Sequence, residues 1–139
     1  CKRLGVAFVA FSPVGRGIFA DTAPDPAAFG ENDFRRTNPR FVAPNWSANN
    51  ARVEALRSYA RDHGWSTAAL AIAWTLAQGD HVIPIPGTRS PAHLDQLAQG
   101  LEIRLGAKEL AEIENILPVG FAHGERYTPA QLIGTELYC

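Results

Sequence analysis

The chain contains no methionine. A complete, unprocessed translation product begins with that residue, and this sequence begins with Cys1, so the expectation is a piece of a larger protein or a processed product. Cysteine is almost as scarce, with Cys1 and Cys139 at the two ends and none between. Two cysteines cannot build a small disulfide scaffold, and none has metal-ligand spacing. They read as free thiols of a reducing compartment, which predicts a cytoplasmic protein. Neither sign of charge dominates: 13 Lys plus Arg stand against 14 Asp plus Glu, for a net charge of −1. That balance argues against a nucleic-acid partner and against an acidic tail. No apolar run approaches the roughly 20 residues of a membrane helix, so no membrane partner is expected. Lys2-Arg3 before the run Leu4 to Phe11 imitates a signal peptide, but the run is too short and no A-x-A site follows. The sequon Asn45-Trp46-Ser47 therefore reads as chance.

What the chain does have is apolar content, 46% over 139 residues. That is too much for a disordered segment and enough for one domain, taken as residues 1–139. Gly5 to Phe11 (GVAFVAF) is a short continuous apolar run closed by Ser12-Pro13, the pattern of a parallel strand buried on both faces. His81 to Ile85 (HVIPI) is a second run, closed by Pro86-Gly87. Pro84 within it suits a strand end. Between the two, residues 21–50 are rich in Pro, Asn, Asp and Gly and predict a long excursion with short turns. A helix is expected from about Asn50 through Val53, Leu56 and Ala60 to Gly64, and a second from a Ser66 or Thr67 cap to Gly79. Ser90-Pro91 opens a third, with Leu94 and Leu97, and a fourth spans 107–117. The tail from Val119 to Cys139 has no clear period. Strands alternating with helices predict an α/β fold with parallel strands. Two strands cannot make such a sheet alone, which again points to absent partner strands.

Each strand ends in a loop suited to an anion. Ser12-Pro13-Val14-Gly15-Arg16-Gly17 offers a hydroxyl, a guanidinium and two glycines that let backbone N–H groups approach. Pro86-Gly87-Thr88-Arg89-Ser90 leads to a helix N-terminus, where N–H groups and the helix dipole favour phosphate, with Arg89 and His93 beside it. Taken singly, either loop is most often a plain turn. Neither is a Rossmann fingerprint or a P-loop. The loops do follow consecutive parallel strands, as do the phosphate-binding loops after the last two strands of eight-stranded α/β barrels. His63, His81, His93 and His123 lack metal spacing, and no nucleophile elbow is present. Glu54, Glu109, Glu112 and Glu114 read as solvated helix faces and Trp65 and Trp74 as core. Trp46 is a candidate wall of a cleft.

Taken together, three stretches resemble the aldo-keto reductases, in the class of bacterial, fungal and plant members that includes the pyridoxal-reductase-like enzymes. Phe11 to Gly17 is similar to that class's YSPLGRG loop after barrel strand 7. Asp33 to Phe41 (DFRRTNPRF) is similar to DFRRTLPRF. Leu70 to Gln78 with Ile83 to Arg89 is similar to LALAWLLAQ followed by IVPIPGT and a Lys or Arg. The similarity runs over roughly residues 2 to 127. It implies a (β/α)8 TIM barrel, of which this chain is the C-terminal part with strands 7 and 8 and their helices. It also implies reduction of small aldehydes and ketones with NADP(H). In the family pattern Ser12, Val14 and Gly15 line the pyrophosphate and nicotinamide side of the Ser12-Pro13-Val14-Gly15-Arg16 loop. An arginine of the 35–40 stretch, taken as Arg35, folds over the cofactor. Gly87, Thr88 and Arg89 hold the adenosine end with its 2′-phosphate, flanked by His93 and Gln96.

The departures also carry expectations. The family usually has Arg or Gln at the place of His93, Glu at that of Gln96 and Asn at that of Leu97. A leucine cannot hydrogen-bond adenine, so a weaker adenine end is expected. A histidine makes phosphate binding pH-sensitive. The resemblance places the family's catalytic Asp, Tyr, Lys and His in the first half of the barrel, before the stretch matched here. Tyr59, Tyr127 and Tyr138 do not follow an early strand and do not match the acid. The chain is therefore expected to contribute cofactor-binding loops and no catalytic residue, with the N-terminal barrel half as its partner. Two alternatives stand beside this: a non-catalytic cofactor-binding barrel, and a truncated product acting as an interaction module.

Overall fold

The computed structural model describes residues 1–133, so Tyr138 and Cys139 lie outside the described residues. Strand β1 (Phe8–Phe11) pairs in parallel with β2 (Val82–Ile85), Phe8 facing Val82 and Phe11 facing Ile85. Both strands are shorter than the apolar runs suggest. Gly5, at φ 65°, closes a turn over Lys2–Leu4 and delays β1. Pro84 sits inside β2, not at its end. The N–H of Phe8 bonds the carbonyl of His81. Strand alternation then turns residues 83 and 85 toward β1 and leaves Pro84, which has no N–H to offer, on the free edge.

The expected burial of β1 on both faces is not met. Helices lie over the face that carries Phe8, Ala10 and Val82, although Phe8 is itself half exposed. On the other face Val9, Phe11, Ile83 and Ile85 are each about half exposed (53, 50, 50 and 51%). The register sets these four apolar side chains side by side.

The excursion after β1 forms three short 3-10 turns, Gly15–Gly17, Pro26–Ala28 and Phe34–Arg36. Helix α1 (Asn45–Asp62) begins five residues before the expected start near Asn50. Its inward stripe is Trp46, Asn49, Val53, Leu56 and Ala60, a 3-4-3-4 spacing whose first members are an aromatic and an amide. Trp46 stacks on Phe41 with ring centroids 5.5 Å apart, within a cluster of Ile18, Phe41 and Val53. It belongs to packing, not to the wall of a cleft. The hydroxyl of Ser66 accepts the Ala69 N–H and starts α2 (Thr67–Leu76) as expected. Along α2, Ala69 to Ala73 are buried, whereas Trp74, expected in the core, is 39% exposed. Trp65 packs partly buried against the second cluster, Leu56, Ala60, Leu70 and Ile113.

Helix α3 (Pro91–Gln99) packs on α2, and α4 (Ala107–Ile116) packs on α1. At the end of α3, Gly100 touches α2 so closely that a Cβ would lie 2.7 Å from the Ala69 carbonyl oxygen, which only glycine permits. Glu109 accepts the Gly106 N–H at the start of α4, and Glu112 accepts the Tyr59 hydroxyl at 2.9 Å. Burial and then that carboxylate push the Tyr59 phenol up to about 12. All four glutamates read as solvated thus have partners, since Glu54 accepts from Arg57 and Arg61 and Glu114 accepts the Val119 N–H.

Three buried polar side chains order the excursion and the tail. Arg57, 1% exposed, donates to the carbonyls of Ile18 (2.7 Å) and Ala20 (2.8 Å) and to Asn50 and Glu54. Asn49 donates to the carbonyls of Arg40 and His123 and accepts the His123 N–H. Asn38 donates to the carbonyl of Arg126 and accepts the Arg40 N–H. A buried amide or guanidinium that satisfies several carbonyls fixes a loop that its own backbone bonds would leave open.

Replacing Arg57 with Met keeps the volume and strands two carbonyls. We expect a loss of about 2–4 kcal/mol in the natural-length polypeptide, read from urea unfolding. A change within 0.5 kcal/mol would show that water replaces the guanidinium without cost.

Candidate functional site

Because β1 and β2 are parallel and in register, their following loops leave the same end of the sheet. The first loop is tightly wound. Ser12 has φ 53° and Arg16 φ 61°, and Gly15 and Gly17 flank Arg16 at 57° and 94°. Non-glycine residues hold this left-handed region at a cost of about 1–3 kcal/mol, and such strain clusters where a backbone is shaped for a ligand. At Gly15 a side chain is excluded twice, by φ and by Ile18, whose Cγ2 would lie 2.7 Å from a Cβ.

Arg35 closes this loop from the excursion. Its guanidinium donates to the Arg16 carbonyl at 3.1 Å, lies 4.1 Å from the Phe29 ring centroid, and grips Asp33 through both carboxylate oxygens. The Nη2–Oδ2 distance is 2.6 Å. Hydrogen bonding by Arg35 holds the Asp33 carboxyl at about 2, well below the usual carboxylate range. The charge of Arg89, from the other loop, acts in the same direction. Arg89 thus lies within electrostatic reach of Asp33 in the excursion. Arg16 spans the rings of Phe34 (5.0 Å) and Tyr127 (4.5 Å) and donates to the carbonyl of Arg126 at 2.9 Å. Phe11, Ser12, Arg16, Asp33, Phe34, Arg35 and Tyr127 line an open pocket of about 480 Å³.

The second loop is exposed at Gly87, Thr88 and Arg89. Thr88 Oγ1 accepts the Ser90 N–H, while the Ser90 side chain makes no capping bond to α3. The first turn of this nine-residue helix therefore has no side-chain cap, and His93 stands exposed on it. A side chain at Gly87 would meet nothing within 4 Å, so the loop is open to a bulky group. Gln96 instead donates to Asp21 Oδ2 at 3.2 Å, and Asp21 Oδ1 accepts the Thr67 N–H at the start of α2. Leu97 is 7% exposed and turned into the protein, so it packs and does not stand beside a ligand.

A sequence model described as the Aldo/keto reductase family matches residues 1–118. The chain belongs to that family. Probable aldo-keto reductase 1 of Glycine max is 37% identical over 132 residues, which cover 91% of this chain and 36% of the relative. The yakc aldo-keto reductase of Schizosaccharomyces pombe, whose name carries NADP(+), is 32% identical over 129 residues, covering 93% and 38%. The chain thus spans little more than a third of the length of these relatives. Among solved structures, a glycerol dehydrogenase of Gluconobacter oxydans matches at a TM-score of 0.74 and 25% identity, over 84% of this chain and 35% of that one. The small α/β arrangement is consistent with part of that family's barrel. No helix among the described residues is long and apolar enough to cross a membrane.

Within this aldo-keto reductase chain, nine of the eleven expected site residues lie in the loops at the C-terminal ends of the strands or at the uncapped start of α3. Ser12, Pro13, Val14, Gly15 and Arg16 form one loop, with Arg35 over it. Gly87, Thr88 and Arg89 form the other. His93 stands on the helix start, and only Gln96 is engaged elsewhere, on Asp21. Sequence reading missed Asp33, Phe34 and Tyr127 as lining residues. Tyr127 reaches the site through the tail, which returns from more than 100 residues away.

The Asp33–Arg35 pair generates a pH prediction. The folded carboxyl binds its proton more weakly than the unfolded one, so its stabilisation is complete above about pH 4 and disappears as the pH falls toward 2. With the pair part-exposed, Asp33→Asn is expected to cost only about 1 kcal/mol at pH 7 and to flatten this acid limb in pH-dependent unfolding. An unchanged limb would place the loss elsewhere.

Proposed function

We propose that this chain is the C-terminal part of a (β/α)8 barrel, its strands 7 and 8 with their helices, in an NADP(H)-dependent reductase of aldehydes and ketones. The observation that carries the reading is that two anion-suited loops leave the same end of a parallel pair, the first of them closed by Arg35. The membership in the aldo-keto reductases and the NADP(+) in one relative's name support the same cofactor. The uncovered apolar face of Val9, Phe11, Ile83 and Ile85 has the character of a barrel interior, which further strands would enclose. An apolar pocket of about 440 Å³ between β1, α2 and α4 would take a neighbouring helix in the same way.

The residues present fit the cofactor. The wound Ser12–Gly17 loop brings backbone close to a pyrophosphate, and the uncapped first turn of α3 offers N–H groups to a phosphate. Arg89 supplies a planar, permanently charged donor for the 2′-phosphate, with His93 on the first turn of α3. NADPH supplies the hydride when bound. This chain's residues bind and orient it, and Arg35 holds the loop shut through the Arg16 carbonyl. The acid that protonates the carbonyl oxygen is assigned by family resemblance to the other part of the barrel. Gln96 is kept by Asp21 and is given no adenine contact in this reading.

The test is cofactor discrimination. Arg89→Ala in the natural-length polypeptide should weaken NADPH by about 1.5–3 kcal/mol and leave NADH nearly unchanged, measured by fluorescence titration of both. Equal losses would show that Arg89 does not read the 2′-phosphate.

A further inference from the structure

The tail after α4 is fastened to the body by side chains. Among the described residues, 122–127 make no backbone–backbone hydrogen bond. Asn49 of α1 accepts the His123 N–H and donates to its carbonyl instead, and Arg40 donates to the Gly124 carbonyl at 3.3 Å. Asn38 and Arg16 both donate to the Arg126 carbonyl at 2.9 Å. Gly124 is seated in a slot, where a Cβ would lie 2.6 Å from Asn45 Nδ2 and 2.7 Å from the Pro39 carbonyl oxygen. Phe121 is the apolar anchor, partly buried against Ile18, Phe41 and Val53. A segment held in this way can detach while the strand pair and the helix contacts stay in place. Its far end reaches the first loop at Arg16, which holds φ 61° without being glycine. That conformation persists only where the surroundings enforce it. From the excursion, Arg35 takes the Arg16 carbonyl and Phe34 lies under the guanidinium. From the tail, Tyr127 covers the guanidinium at 4.5 Å and the Arg126 carbonyl accepts its N–H. The Arg16 side chain is thus engaged within the protein, and it acts on the shape of the loop.

We propose that residues 121–127 are a strap that presets the Ser12–Gly17 loop, with Arg16 as the positioning residue through which it acts. Docked, the strap holds Arg16 in its left-handed turn and keeps the loop wound for the cofactor's pyrophosphate. Released, it lets the turn relax, and NADPH must then order the loop at the expense of affinity. The effect on NADPH rests on the proposed cofactor site, but the control of loop order by the strap does not.

Two tail glycines supply a matched pair of variants. Gly120 and Gly124 have φ 81° and 84°, but a Cβ at Gly120 would meet nothing within 4 Å. Gly124→Ala therefore lifts the strap from its slot, and Gly120→Ala carries the same backbone cost without the collision. In the natural-length polypeptide without cofactor, Gly124→Ala should speed amide exchange in residues 14–17 about tenfold and leave α1 and α2 unchanged, while Gly120→Ala leaves all three unchanged. Gly124→Ala should also weaken NADPH about tenfold in a fluorescence titration, and should cause no further loss when added to Arg16→Ala. If Gly124→Ala speeds exchange in α1 as well, Tyr127→Leu, which removes the ring over Arg16 and leaves the slot untouched, decides by the same readouts. Unchanged exchange in residues 14–17, or a loss that simply adds to that of Arg16→Ala, overturns the proposal and leaves the reductase reading intact. Faster loop exchange in a polypeptide whose unaltered form binds neither NADPH nor NADH keeps the strap and overturns the reductase reading.

Discussion

The pairing of Phe8–Phe11 with Val82–Ile85 joins segments more than 70 residues apart and decides where each loop of the site begins. Because the strands are parallel, Ser12 and Pro86 leave the same end of the sheet. Because Phe11 faces Ile85, they leave at the same level. A slip of one residue would turn Val9, Phe11, Ile83 and Ile85 to different faces and move Arg89 relative to Asp33. The proline in β2 is tolerated because its missing donor falls on the edge away from β1. The positions of both loops thus follow from one short ladder.

A parallel connection requires a long crossover, and here it contains an excursion with little regular structure of its own. Buried side-chain polar groups give that excursion its shape. Arg57 reaches from α1 to the carbonyls of Ile18 and Ala20, just past the wound loop. Asn38 and Asn49 bind the returning tail to the same region, which brings Tyr127 and Arg126 over the end of β1. Helix packing supplies the burial, through Leu56, Leu70 and Ile113. The site is therefore supported by a polar network on one side and an apolar core on the other. Loss of the network is expected to affect loop order before it affects the helices.

Much of this arrangement is legible in the sequence. The two short apolar runs, the Ser66 cap, the stripe of Val53, Leu56 and Ala60, and the proline at the start of α3 all announce their elements locally. The start of α1 is not announced, because Trp46 and Asn49 continue its buried stripe with an aromatic and an amide, which an apolar periodicity overlooks. Trp74 misleads in the opposite sense, since its size suggests burial and its place on α2 leaves it partly exposed. Arg57 is hidden for a related reason: a charged residue on a helix ordinarily faces solvent, and only the distant carbonyls explain its burial. At the site, the motif residues of both loops are local and readable. Gln96 on Asp21 and Arg16 with Tyr127 depend on contacts 75 and more than 100 residues apart, which no local pattern contains.

Hydrogen–deuterium exchange of the natural-length polypeptide with and without NADPH decides whether these two loops act as one cofactor site. NADPH is expected to slow amide exchange together in residues 12–17 and 88–93, with the α1–α4 contact unchanged. Protection of one loop without the other, or of neither at saturating NADPH, would contradict it.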